Sequence, residues 1–597
     1  MIIYTLIFIW YELPQEDDMQ YTGARILLES LIEQGVDTVF GYPGSTVLHI
    51  YDELYKQRKR IRHILVSHEQ HAAHAADGYA RSTGRPGVCI ATSGPGATNL
   101  ITGIAAAYMD SVPLVAITGN VPTGLLGKDS FQEVDIAGVS MPVVKHNWIV
   151  KNVNDLEEVI REAFFVAASG RPGPVLIDIP KDVTVLKARW ISTEGKKGRA
   201  KPKNDVLSAR AARLLERETR PAFSEEDIER AAAMLAEAGR PLLYAGGGVI
   251  AAGASEELRA LAEKLNAPVA LSLMGIGAIP HEHPLCTGLI GMHGTVASNK
   301  AAQKADLLLA IGSRFSDRVI GRADMFAKDA KIIHFDIDPA EINKNIKTHA
   351  WVTGNVKETL GRLLSKLPPG IETKWKGEIE KWKALLPRTH SRDSAYRKTA
   401  LHPRFVIEET AKALGQDTVA VTDVGQHQLW AAQFFPAARP RSFLSSGGLG
   451  AMGFGLGAAL GAKIANPSKP VVLFTGDGCF RMNCGEMATI TANKIPVLII
   501  VFHNGVLGMV RQWQRFFFEG RFSETELGPY PDFIKLSDAY GVPGFRASDC
   551  PSFLRALDSC LKELSSGRAA LIEASIDRNE DVLPMVPSGR AIDEQIL

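Results

Sequence analysis

Short apolar runs bounded by Gly, Pro or polar turns (DTVFGYPG, IRHILVS, GVCIATSGPG, VPLVAITGN, PVLIDIP) alternate with helix-patterned stretches around Val47–Tyr55 and from Glu69 onward. Strand-like runs separated by helical segments predict βαβ units, and such units in series predict a parallel sheet. Near Lys187 the alternation breaks into WISTEGKKGRAKPKNDVL, a polar Lys/Gly/Pro-rich stretch that reads as a linker. A helix and PLLYAGGGV open a second α/β block, which closes at KLPPG; a charged, helical stretch then leads into a third block from about Leu401. The predicted fold is α/β with three doubly wound parallel-sheet domains: 19–187, a linker over 188–222, 223–367, and 395–597.

The first and third blocks resemble each other. VCIATSGPGATN leads through a helix to SVPLVAITGN, ending at Asn120, and VVLFTGDGCFRMN leads through a helix to KIPVLIIVFHN, ending at Asn504. Both read strand, Gly turn, helix, Pro, strand, Asn. Two copies of one nucleotide-sized unit predict a ligand that touches both, within one chain or across a dimer interface.

Composition changes this picture little. The 597 residues are 46% hydrophobic and 22% charged, which excludes disordered and fibrous classes. Lys+Arg 67 against Asp+Glu 66 leaves +1, too little net charge to recruit nucleic acid or an anionic membrane. Six Cys without a C-x-x-C pair argue against a disulfide scaffold and fit a reducing, cytoplasmic setting. The opening MIIYTLIFIW falls short of the ~20 residues that span a bilayer, and it carries neither the basic flank nor the cleavage site of a secretory signal. It reads as an over-extended start, with Met19 opening the patterned chain.

The chemistry gathers where the Gly-rich turns are. Gly476-Asp477-Gly478 follows the apolar run PVVLFT, so the glycines allow a tight turn while Asp477 projects from the carboxyl end of a strand. The next strand ends in Asn504, 27 positions after Asp477. The segment Met482–Asn493 between them is long enough for a crossover helix, which puts Asp477 and Asn504 side by side at one sheet edge. A carboxylate and an amide oxygen, with a backbone carbonyl, suit Mg²⁺ shared with phosphate oxygens.

This GDG with a following Asn resembles the signature of thiamine-diphosphate enzymes. The family pattern ends in two Asn, of which the second binds metal; here His503-Asn504 keeps the ligand and changes its neighbour. The resemblance implies that Asp477, Asn504 and the carbonyl of Val506 hold Mg²⁺. In HEQHAAHAADGYAR, His68, His71 and His74 drift around a helix, a poor metal face without H-E-x-x-H spacing. Glu69 instead matches the family's glutamate, which hydrogen-bonds the aminopyrimidine ring and so prompts loss of the thiazolium C2 proton. A carboxyl group in a cleft with little water can share that proton.

From Met19 onward the chain is most similar to the acetolactate (acetohydroxyacid) synthase family. The segments that carry this are Phe40-Gly41-Tyr42-Pro43-Gly44, Ser93-Gly94-Pro95-Gly96-Ala97-Thr98-Asn99, Ser130-Phe131-Gln132-Glu133, Arg171-Pro172-Gly173-Pro174, Gly508-Met509-Val510-Arg511-Gln512-Trp513-Gln514 and Pro584-Met585-Val586-Pro587. The resemblance implies that Gln132 lies near the reaction centre and Lys181 lines the substrate entrance. It implies that Val424, Gly450, Met452, Met509, Gly476 and Gly478 hold the cofactor, and that Trp513 and Phe131 shape substrate specificity. In the central block, Gly246, Gly247, Met292, His293, Arg314, Asp317, Arg318 and Asp336, joined by Arg171, resemble FAD-contacting positions. FAD-independent catabolic relatives lack the Arg314-Phe315-Ser316-Asp317-Arg318 stretch, so the FAD-containing biosynthetic type is expected, with a structural flavin. Three departures stand out: Ser45 where the family has Gly, Asn355 where Asp is usual, and a long basic linker at Trp190–Pro221.

The implied activity is decarboxylation of pyruvate and condensation with a second pyruvate or 2-ketobutyrate, toward the branched-chain amino acids. Implied partners are the 2-keto acids, a homodimer or homotetramer and a small regulatory subunit, with no nucleic acid and no membrane. Glyoxylate carboligases lack the glutamate present here, and pyruvate decarboxylases carry a His-His pair absent near Gly127–Glu133. A flavin-using pyruvate oxidase or related carboligase is the alternative. A non-catalytic homologue is disfavoured by the joint presence of Glu69, Gln132, Asp477 and Asn504. An NAD-dependent oxidoreductase rests on the GGG turn alone.

Overall fold

The computed structural model describes residues 20–190, 223–371, 373–375, 377–385 and 401–597. The expected early start and most of the expected linker lie outside these residues. Among the described residues, three six-stranded sheets organise the fold, and all their pairings are parallel. A fourth, two-stranded antiparallel sheet pairs Gln20–Thr22 with Lys187–Arg189, tying the first and last strands of the N-terminal domain together.

The N-terminal sheet comprises Thr38–Gly41, Arg62–Leu65, Gly87–Ala91, Leu114–Asn120, His146–Ile149 and Pro174–Pro180. The C-terminal sheet comprises Val419–Thr422, Phe443–Leu444, Val471–Gly476, Leu498–His503, Gly544–Ala547 and Ala570–Ser575. Numbered along the chain, both follow the order 2-1-3-4-6-5. The internal resemblance in sequence is therefore a duplication of topology. The central sheet, from Pro241–Ala245 to Ala350–Thr353, follows 3-2-1-4-5-6, the order of dinucleotide-binding folds.

Local boundaries follow local chemistry. The helix expected over Val47–Tyr55 runs Leu48–Lys56, and the helix expected from Glu69 runs Glu69–Thr83, with His68 as N-cap and Gly84 in the left-handed conformation at its end. One expectation changes: the crossover after Gly476 is helical from Asp477 itself, as Asp477–Asn483, a 3₁₀ turn over Cys484–Glu486, and Met487–Ala492. Asp477 thus heads a helix rather than standing free at a strand tip.

The N- and C-terminal domains share one hydrophobic core, in which the Glu69–Thr83 helix crosses the Gly455–Ala465 helix. Both helices are apolar and small-sided at the crossing, which lets their backbones approach closely. A Cβ on Gly461 would overlap the carbonyl oxygen of Ala75, and one on Gly78 that of Ala458. On the polar side, Asp110 accepts the N–H groups of Gly447 (3.0 Å) and Gly448 (2.6 Å), and Arg81 donates to the Ser445 carbonyl at 2.9 Å. These bonds fix the Gly447–Gly450 loop against the N-terminal domain.

The crossing generates a paired prediction. Gly461→Ala should cost about 1–3 kcal/mol through forced backbone separation. Gly361→Ala, in a helix where an added Cβ meets nothing within 4 Å, should gain about 0.5–1 kcal/mol. Thermal melts of the two variants should shift in opposite directions.

Candidate active site

Glu69 is the first residue of its helix and half-buried, and its Oε2 accepts the Asn99 side-chain amide at 2.9 Å. Asn99 closes the short Pro95–Asn99 helix, so the Ser93–Asn99 motif is the platform beneath the glutamate. Its glycines permit this: a Cβ on Gly96 would lie 3.3 Å from Glu69 Oε1, and one on Gly94 would lie 2.8 Å from the Gln132 carbonyl oxygen. Glu69 and Gln132 are thereby brought to the same loop. Gln132 has φ 56°, a left-handed conformation that costs a non-glycine residue about 1–3 kcal/mol. The neighbouring Glu133 holds it there by accepting the N–H groups of Gly127, Lys128 and Ser130. Phe131 is 86% exposed. Lys181 donates its N–H to the Asn120 carbonyl at 3.0 Å, at the edge where that strand ends. Ser45 is exposed and keeps a negative φ, so its side chain is accommodated without strain.

The three histidines of the same helix have separate environments. His68 caps the helix by accepting the Gln70 N–H, His71 meets Glu486 at 3.0 Å, and His74 is buried with its ring against Phe454.

In the C-terminal domain, the end of Val471–Gly476 lies beside the end of Leu498–His503, with Gly476 opposite Phe502. Asp477 is buried; its Oδ1 accepts the Gly478 N–H at 2.8 Å, and its Oδ2 accepts those of Gly505 at 2.7 Å and Asn504 at 3.2 Å. Burial pushes its carboxyl pKa up, and these N–H donors pull it back toward the ionised form. Asn504 Oδ1 accepts the Val506 N–H at 3.1 Å. One carboxylate and one amide oxygen stand side by side here, and with a backbone carbonyl they would make an all-oxygen set of the kind Mg²⁺ takes. Among the described residues no cluster of three or more His, Cys, Asp and Glu could hold a metal ion by itself, so a site here draws on Asn and the backbone.

Two residues that sequence reasoning passed over complete this edge. Gln426 and His427 open the Gln426–Phe434 helix, and His427 is buried with Nε2 unpartnered. Burial lowers the His427 pKa to about 3, so the ring is neutral. A Cβ on Gly476 would lie 2.9 Å from this ring, and one on Gly425 3.0 Å. An orphaned ring nitrogen in a glycine cradle beside Asp477 fits a phosphate group. The signal was present as Gly-Gln-His after the strand Val419–Thr422. Asp423, fully buried, accepts the N–H groups of Val424, Gly453 and Gly455 and the Asn483 amide. It therefore fixes Val424, the Met452 loop and the Asp477 helix relative to one another. Met452 itself lies within 4 Å of where a Gly478 Cβ would stand.

A cavity of about 640 Å³ opens where the three domains meet, a size that accommodates a nucleotide-sized ligand. Val424, Gly450, Met509 and Trp513 line one side, and Arg171, Met292, His293, Arg314, Arg318 and Asp336 line the rest. Gly247 lines it too, whereas Gly246 and Asp317 do not: Gly246 packs against the Gly312 carbonyl, and Asp317 is turned toward solvent beside Arg318. Arg171 is held by Ser111 Oγ at 2.7 Å and Glu341 at 2.8 Å. Asn355 lines the cavity while its side chain caps the Val356–Lys366 helix through the Lys357 N–H. Gly248 and Gly312 approach so closely that a Cβ on either would collide with the other's backbone, as a tight dinucleotide turn requires. The cavity and its arginines fit FAD. Glu69, Gln132, Phe131 and Lys181 do not line this cavity.

Family models match all three domains: residues 21–139 the N-terminal TPP binding domain, 228–363 the central domain and 423–574 the C-terminal TPP binding domain of thiamine pyrophosphate enzymes. The fold and these three matches, which together span more than half of the chain, define a thiamine diphosphate (thiamine pyrophosphate) enzyme. The chain is 47% identical over 577 residues to the acetolactate synthase large subunit of Corynebacterium glutamicum, covering 95% of this chain and 89% of the relative. It is 45% identical over 578 residues to the probable acetolactate synthase large subunit of Methanocaldococcus jannaschii, covering 95% and 94%. It belongs to the acetolactate synthase large-subunit family. Among the described residues no helix is long and apolar enough to cross a membrane.

Titration of the purified protein with thiamine diphosphate, followed by tryptophan fluorescence, tests the C-terminal edge. His427→Ala should weaken binding about tenfold to a hundredfold, the worth of a hydrogen bond to a charged group. In Asp477→Ala the added Mg²⁺ should no longer strengthen binding.

Proposed function

We propose that the protein is an acetolactate synthase that decarboxylates pyruvate and joins the two-carbon remainder to a second pyruvate or to 2-ketobutyrate, at the start of branched-chain amino-acid biosynthesis. The observation that carries this reading is the pair of half-sites on twin folds: Glu69 on its Asn99 platform in one, and Asp477 with Asn504 and His427 in the other. Bound thiamine diphosphate supplies a nucleophilic thiazolium carbon and an electron sink, which a 2-keto acid needs to lose CO₂.

The chain's own residues then have distinct tasks. Asp477, Asn504 and the Val506 carbonyl hold Mg²⁺, and His427 Nε2 donates to the diphosphate. Val424, Gly450, Met452 and Met509 support the rest of the cofactor. Asn99 occupies Glu69 Oε2, leaving Oε1 to share a proton with the pyrimidine nitrogen. Gln132 and Lys181 orient the 2-keto acid, while Phe131 and Trp513 shape the pocket for the second one. FAD occupies the three-domain cavity as a structural group.

The exposed Phe131 loop and the separation of Glu69 from the cavity that holds Val424 and Gly450 support a homodimer, or a dimer of dimers. In it the Glu69 domain of one copy completes the Asp477 domain of another. The relatives' designation as large subunits supports a small regulatory partner. All six cysteines are free thiols, in keeping with a reducing cytoplasm.

The test is acetolactate formation from pyruvate by purified protein, with each cofactor omitted in turn, beside Glu69→Gln. Wild-type turnover should require thiamine diphosphate and Mg²⁺, and Glu69→Gln should lose about 10²-fold or more, the usual worth of a positioned acid–base group. Acetate or acetaldehyde in place of acetolactate would move the protein to an oxidase or a decarboxylase.

A further inference from the structure

Glu486 lies in the C-terminal domain, in the 3₁₀ turn directly after the helix headed by Asp477, and it is completely buried. A buried carboxylate is costly unless hydrogen-bonded on both oxygens, and here the donors come mainly from the other domain. Ser67 donates its N–H to both oxygens, at 2.9 and 3.2 Å, and His68 donates its N–H to Oε1 at 3.1 Å. His71 Nδ1 meets the same Oε1 at 3.0 Å, and Thr489 donates its hydroxyl to Oε2 at 2.7 Å. A further bond from the Ser67 hydroxyl to the Gly485 carbonyl, at 2.9 Å, doubles the attachment.

Ser67 and His68 are the two residues before Glu69, and His71 lies in the first turn of its helix. The backbone N–H groups that enter a helix have no intrahelical partner and carry the positive end of its dipole. Glu486 therefore acts as a second cap on the Glu69 helix, supplied by another domain. His68 caps the helix locally through its side chain; Glu486 caps it from outside and sets its position and direction.

We propose that Glu486 is a positioning residue for Glu69. It holds the entry of the helix, so that the Glu69 carboxylate reaches the pyrimidine nitrogen of the cofactor in productive geometry. This rests on the role given to Glu69 above. The same turn closes the helix that Asp477 opens, so one rigid segment carries the metal carboxylate at its head and the clamp on Glu69 at its tail.

The readout is the rate at which the C2 proton of enzyme-bound thiamine diphosphate exchanges with D₂O, followed by acid quench and proton NMR, beside the cofactor's Kd with Mg²⁺. A positioning role predicts that Glu486→Ala slows exchange about tenfold or more, because an error of about 1 Å at a reacting group is worth up to 10²-fold. The Kd should stay within about twofold of wild type, as the diphosphate residues are untouched. Glu486→Gln, which keeps one acceptor oxygen in place, should recover part of the rate. Wild-type exchange in Glu486→Ala would overturn the proposal, as would a Kd that rises in step with the loss, or a Gln variant no better than Ala. Should Glu486→Ala fail to fold, His71→Leu carries the test, since it withdraws one donor and leaves the carboxylate: slowed exchange at unchanged Kd supports the proposal, and wild-type exchange overturns it. Glu69→Gln measured alongside separates the two readings. If it too exchanges at the wild-type rate, the role of Glu69 falls; if it slows and Glu486→Ala does not, only the clamp falls.

Discussion

The close approach of two helices holds the catalytic framework together. The Glu69–Thr83 and Gly455–Ala465 helices meet backbone to backbone, because glycines at 78 and 461 leave no room for anything larger. The contact joins the N- and C-terminal sheets into a single core, and residues of the proposed site lie at both ends of it. Glu69 stands at the head of one helix; the loop bearing Gly450 and Met452 feeds into the other. Polar bonds surround this apolar crossing: Asp110 takes the Gly447 and Gly448 N–H groups, and Glu486 takes those of Ser67 and His68. The crossing supplies adhesion without direction, and these buried carboxylates supply the direction.

The two outer domains show how one topology was put to two uses. Both sheets run 2-1-3-4-6-5, and each fourth strand leads to an asparagine, Asn120 as its last residue and Asn504 directly after His503. In the N-terminal domain that residue, Asn120, is spent: its amide donates to Asp178 at 2.5 Å, its oxygen accepts the Val121 N–H, and Thr118 fills the other Asp178 oxygen. Burial raises the Asp178 pKa to about 6, yet both of its oxygens accept hydrogen bonds within the protein. In the C-terminal domain the corresponding Asn504 stays half-buried beside Asp477, and the buried His427 Nε2 has no partner. The first edge is satisfied internally and works as a support for Lys181 and its neighbours. The second keeps capacity for a charged ligand.

Between them, the central domain has the strand order of a dinucleotide fold and a cavity reached by all three domains. Its arginines are partly committed before any ligand arrives: Arg171 is already held by Ser111 and Glu341. A cavity built this way gives shape and charge to a bound group and, through Arg171, links it to the N-terminal domain. This suits a cofactor whose role is architectural.

The domain pattern, the parallel sheets, the duplication and the start of the Glu69 helix were legible in the sequence, because each follows from local signals: apolar period and Gly and Pro punctuation. The pairing of Asp477 with Asn504 was legible too, since adjacent parallel strands leave few arrangements once the spacing is known. Other features were not. That Asp477 heads a helix depends on how the turn packs, and the value of His427 and Asp423 depends on burial that no single segment shows. Glu486 is the extreme case: in sequence it is an unremarked glutamate more than 400 positions from the residues it binds. Sequence by itself determined which elements form and which residue types carry the chemistry, because those are decided within a few residues of backbone. Only the tertiary structure decided which donors each buried carboxylate meets and which buried ring nitrogen is left without a partner, because desolvation and hydrogen-bond matching are properties of the assembled core.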